Sequence, residues 1–158
     1  MTDMITLQSS PISDLDLNSL NWMHFEGSPK FDYPINYSMA VLNARPEAGT
    51  IDFLAKWEPD SYCHFHRHLG ETTVLVLKGE HHVVETTANQ TVHKIRQPGF
   101  STRNPGGDVH MEYGGAAGAL VFFSMEAVEG RLFEVLDKNE NILSVVTMEN
   151  LITGRFGR

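Results

Sequence analysis

The sequence predicts an all-β protein, a closed or double-sheet barrel. Short runs rich in Val, Ile, Thr and aromatic residues recur from Tyr37 to Val146, Gly, Pro, Asn and Asp turns separate them, and a helix signal is confined to the C-terminal end. With 158 residues, the chain suits one domain with a core of ordinary proportions.

Residues 1–36 read as an N-terminal arm. Polar and turn-forming residues surround Leu15, Leu17, Leu20 and Trp22, Ser13 or Asp14 is placed to cap a short helical turn, and Pro29 and Pro34 interrupt the stretch between Trp22 and Tyr37. One short helix or strand is expected there. Residues 37–158 form the barrel domain. Ser38–Asn43 and Ile51–Trp57 read as strands around the turn Arg45–Gly49, followed by Thr73–Leu77, a break at Gly79, and His82–Thr87. Ala88–Gln90 is a hairpin tip and Val92–Arg96 the return strand. Asp108 precedes a short strand bearing His110, and Ala119–Met125, Leu132–Leu136 and Ile142–Val146 complete the set. Thr147 caps a final helix over Met148–Ile152.

The formal net charge of −8 excludes nucleic acid and an anionic membrane surface as main partners. There is no apolar run near membrane-spanning length and no charged-then-apolar start, so the expectation is a soluble, cytoplasmic protein. The lone Cys63 cannot form an internal disulfide, in keeping with a reducing compartment.

The chemistry concentrates between Pro59 and Gly79. His64, His66 and His68 alternate with Phe65 and Arg67, which on an extended strand places three imidazoles on one face about 7 Å apart, near enough for two to share an ion. Imidazole is the commonest metal-ligating side chain. The competing reading is a histidine-rich, solvent-facing strand edge.

Two motifs decide between these readings. Gly99, five residues, Pro105, Gly107 and then His110 form one; Pro59-Asp60, five residues, His66, His68 and then Gly79 form the other. Together, over roughly residues 38–127, they resemble the cupins, small jelly-roll barrels that hold a metal between two such motifs. The resemblance implies a single cupin jelly-roll barrel with metal ligands His66, His68 and His110, His64 standing as an alternative. The cupin glutamate ligand would fall at Thr72 or Thr73, whereas the available carboxylate is Glu71. The pattern therefore resembles the three-histidine cupins of the 2,4'-dihydroxyacetophenone and acetylacetone dioxygenase type, which share the arrangement seen here as His66-Arg67-His68-Leu69-Gly70.

Glu112, two residues after His110, is read as a base just outside the ligands or as a solvated carboxylate on the barrel rim. His81, His82 and His93 are read as surface residues, Arg67 as structural, and Phe122, Phe123, Met125 and Phe133 as core or interface. Phe53, Phe65 and Tyr113 are candidates to line the pocket.

Three neutral imidazoles would leave one divalent ion its full charge and open positions for a small anionic, oxygen-chelating substrate. Fe(II) is favoured, with Zn(II), Ni(II) or Mn(II) as alternatives. The implied activity is a dioxygenase cleaving a carbon–carbon bond of a β-diketone or hydroxyketone; the alternatives are isomerase, lyase or hydrolase chemistry, or a non-catalytic sensor. Because cupin-like barrels commonly pair, a homodimer is expected.

Overall fold

The computed structural model describes residues 4–6, 16–29 and 31–156. Ten strands carry the fold: β1 (Trp22–Glu26), β2 (Asn36–Arg45), β3 (Thr50–Trp57), β4 (His66–His68), β5 (Thr72–Thr86), β6 (Thr91–Arg96), β7 (Ser101–Asn104), β8 (Val109–Glu126), β9 (Arg131–Leu136) and β10 (Ile142–Thr147). Among the described residues one short α-helix, α1 (Met148–Thr153), follows β10. This is the expected all-β jelly roll with its C-terminal helix, the sheet curling into a half-barrel.

β8 organises the topology because it belongs to both halves. Its later part, from Ala119 to Glu126, lies between β3 on one side and the start of β5 on the other; its first residues, Val109 and His110, pair with β4, which continues into β9 and β10. β1 and β2 extend the β3 edge, while β6 and β7 flank β5. The core lies in the concavity between these layers, where Ile51, Phe53, Val76, Val121 and Leu132 are almost wholly excluded from water. Phe53 stacks on Phe123 with ring centroids 5.2 Å apart.

Several expected strands are longer than the sequence suggests. The runs on either side of Gly79 are one strand, because register shifts between Val76 and Lys78 and between Gly79 and His81, with Gly79 at φ +73°, let the ladder kink without ending. The short strand at His110 and the run Ala119–Met125 are likewise one, the Gly-rich segment between them joining the two parts through a bulge with Gly118 at φ +74°. β7 has no clear hydrophobic alternation and was not expected from the sequence. In the N-terminal region, Asp16 caps a 3-10 turn at Leu17–Ser19 and β1 pairs along β2. The Ser13 and Asp14 alternatives lie outside the described residues. Thr147 caps α1 in a reciprocal capping box with Asn150, as predicted from its position.

Candidate metal centre

Strand pairing brings the two histidine motifs together. β4 and β8 run antiparallel with His66 opposite His110, so residues far apart in sequence become direct cross-strand neighbours. Alternation along β4 sends His66 and His68 to the same inner face and Arg67 outward, where it pairs with Glu134 at 2.9 Å. Alternation along β8 does the same for His110 and Glu112. All four inward side chains are buried, and one ligand atom from each lies within 4.8 Å of the others.

Hydrogen bonding prepares this set to receive a cation. His66 Nδ1 lies 2.6 Å from the His64 carbonyl oxygen, so it carries the proton and the Nε2 lone pair faces the cluster. His66 Nε2 is 2.9 Å from His68 Nε2 and 3.1 Å from Glu112 Oε2. His110 Nε2 is buried with no hydrogen-bond partner among the described residues, 3.6 Å from the same carboxylate oxygen. Such an orphaned, inward-facing nitrogen is costly unless something electrophilic meets it. Burial is the largest single influence on Glu112 and would raise its pKa. His110, together with the close approach of His66 and His81, outweighs burial and holds it well below the usual carboxylate range. The donor set, three imidazoles and one ionised carboxylate, fits a divalent transition ion.

Each sequence candidate now has a place. His66, His68 and His110 converge. His64 lies before β4, not on it, and its Nδ1 is 2.9 Å from the Tyr37 hydroxyl; burial and His66 lower its pKa to about 4. Glu71 is turned to the surface and forms an ion pair with Arg103. Thr72, at the position where the cupin glutamate would fall, is buried, and its hydroxyl donates to the Gly70 carbonyl at 3.3 Å. The carboxylate of this centre is Glu112, supplied by the second motif's strand instead.

The placement of His81 and His82 on the surface is corrected: both are buried, and His81 is completely excluded from water. Two register shifts along β5, between Val76 and Lys78 and between Gly79 and His81, move the inward face from Val74 and Val76 to His81 and Val83, and His81 places its Nε2 2.9 Å from Glu112 Oε1. His93 is exposed, as expected. Phe123, Met125 and Phe133 do more than fill the core, because with Met39, Phe53 and Trp57 they wall a chamber reaching His66, His68 and Glu112. Phe65 and Tyr113 are not among its walls. Tyr37, His64 and Phe133 line both this chamber and a wider groove beside β1 and β10, and so form its mouth. The one available sequence signal for Glu112 was its two-residue spacing from His110; no comparable signal existed for His81.

Among curated proteins no sequence match was found. The fold is similar to a crystal structure of an acetylacetone dioxygenase from Acinetobacter johnsonii, with TM-score 0.65 and 13% identity over 98% of this chain and 94% of that one. It also resembles an RmlC-like cupin from Ralstonia eutropha JMP134 (TM-score 0.65, 18% identity, 89% and 82% of the chains) and a cupin 2 conserved barrel domain protein from Rhodopseudomonas palustris (0.62, 14%, 87% and 89%). At these identities the likeness establishes the fold, not the reaction. The model of the ChrR cupin-like domain matches residues 18–129, a span that includes both histidine motifs and Glu112. The chain therefore belongs to the ChrR cupin-like family of the cupins.

Proposed function

We propose that the protein is a metal-dependent dioxygenase that uses Fe(II) to cleave a carbon–carbon bond in a small β-diketone or hydroxyketone. The observation that carries this reading is the buried cluster of His66, His68, His110 and Glu112 at the end of an apolar chamber. Glu112 corrects the charge expected for a three-histidine site: an ionised carboxylate leaves a divalent ion with one net positive charge. A single enolate would bring that buried assembly to neutrality, whereas a neutral ligand would leave charge stranded among apolar walls. An octahedral ion held by four protein atoms also retains two positions, enough for a chelating pair of oxygens.

The chain's own residues would select and hold such a ligand. Met39, Phe53, Trp57, Phe123, Met125 and Phe133 accommodate an apolar body and exclude water. His64, neutral at physiological pH, and the Tyr37 hydroxyl offer uncharged hydrogen bonds at the mouth. His81 steadies the Glu112 carboxylate. Bound Fe(II) would supply the capacity to activate O₂. The likeness to the Acinetobacter johnsonii acetylacetone dioxygenase supports this substrate class.

One observation favours a second reading. Three histidines and a carboxylate complete a tetrahedral shell for Zn(II), and a closed zinc site suits a structural or sensing role. Elemental analysis of protein purified without added metal, paired with O₂ uptake on acetylacetone and a panel of hydroxyketones, separates the two. Stoichiometric iron with turnover is expected. Zinc without O₂ uptake would replace the oxygenase with the closed-site reading, and nickel or manganese without uptake would direct the pocket to isomerase, lyase or hydrolase chemistry.

A further inference from the structure

Behind the candidate centre, on the outer face of the β5–β8 pair, a second group of ligand atoms converges. His82 and Tyr113 are register partners next in sequence to His81 and Glu112, so alternation turns them outward where their neighbours turn inward. Their rings stack with centroids 4.5 Å apart. From β6, His93 reaches across the hairpin until its Nε2 is 2.7 Å from His82 Nδ1 and 3.0 Å from the Tyr113 hydroxyl. Two imidazole nitrogens are thus crowded together much as His66 and His68 are at 2.9 Å in the inner cluster.

The surroundings orient this group. His82 Nε2 lies 2.5 Å from Glu80 Oε1, and Gln97 Nε2 donates to the other Glu80 oxygen at 3.1 Å. His82 Nε2–H therefore donates to the carboxylate, which leaves the Nδ1 lone pair facing His93, the arrangement that carboxylates impose on metal-bound histidines. Gly115 makes space for it: a Cβ there would come within 2.8 Å of Glu80 Oε1 and 3.2 Å of His82 Nε2. His82 is buried while His93 is exposed, so the group is held from below and reached from solvent.

We propose that His82 Nδ1, His93 Nε2 and the Tyr113 oxygen form a second metal site, for a borderline divalent ion of the Zn(II) or Cu(II) class. Two imidazoles and a phenol select this class over Mg(II) and Ca(II), which require oxygen-rich shells. Solvent fills the remaining positions. When Cu(II) binds, the phenol releases its proton to solvent and coordinates as phenolate.

The test is titration of the purified full chain with Cu(II), after elemental analysis has established the content of the inner centre. A second equivalent per chain is expected, with a phenolate-to-copper absorption band. His93→Ala, an exposed change whose fold is checked by far-UV circular dichroism, should weaken uptake of this equivalent more than about tenfold with inner content unchanged. Tyr113→Phe should remove the band, and His68→Ala should empty the inner centre while sparing the outer one. Absence of a second equivalent in the wild type, its survival in both His82→Ala and His93→Ala, or absence of the band in the wild type would overturn the proposal. None of these results depends on the reaction proposed for the inner centre.

Discussion

Glu112 is the residue on which the inner centre turns. One oxygen faces His66 and His110, the other is taken by His81, so the carboxylate is aimed from both sides. His66→Ala, His68→Ala and His110→Ala should each lose the bound ion, and Glu112→Gln should lower affinity by more than the roughly 10–100-fold typical of residues that only support a ligand. His81→Ala should fall within that supporting range, because it frees Glu112 without removing it. Glu71→Gln should change affinity by no more than a few-fold, since Glu71 is engaged with Arg103 at the surface. Competition with a chromophoric chelator measures all of these, and a collapse of affinity in Glu71→Gln would remove Glu112 from its place as the carboxylate ligand.

At the scale of elements, the kink in β5 decides what the centre contains. Gly79 has φ +73°, and a Cβ built there would lie 2.3 Å from the Gly118 carbonyl oxygen, so both conformation and space demand glycine. Gly79→Ala should therefore cost at least about 2 kcal/mol and weaken metal binding, because Gly79 lies between the two register shifts that precede His81. Urea unfolding and a metal titration read the two effects. Full stability with unchanged affinity would mean that the kink is not needed for the site.

Across the whole molecule, the buried cluster links metal binding to folding. The four clustered side chains come from β4 and β8, whose pairing exists only in the folded chain, so an ion held by them would bind the native state alone. At a thousand times its dissociation constant an ion adds about 4 kcal/mol, which for a chain of this length shifts the melting temperature by about 8–16 °C. Scanning calorimetry with metal and with chelator should show that gap; coincident transitions would contradict an ion held by this cluster. Phe53→Ala should cost about 3–5 kcal/mol with or without metal, since its ring is packed on Phe123 in the core. We also propose a homodimer, to be checked by light scattering, where a monomer at micromolar concentration would refute it.

The sequence by itself determined the all-β class, most strand positions, the cap on α1, and the three histidines His66, His68 and His110. These rest on local signals: alternation, turn residues, a capping threonine, and motif spacings that survive in one dimension. Tertiary structure decided what meets what. Whether a strand residue faces inward depends on its register with a partner, and two register shifts, between Val76 and Lys78 and between Gly79 and His81, change that parity along β5, so His81 and His82 could not be placed from alternation. His64 has the spacing of a ligand, yet β4 begins only at His66, and the segment before it turns His64 toward Tyr37. The carboxylate was the other undecided group: Glu71 is nearer the histidines in sequence, but the pairing of β4 with β8 brings Glu112 to them in space, because cross-strand proximity is set by the sheet and not by separation along the chain.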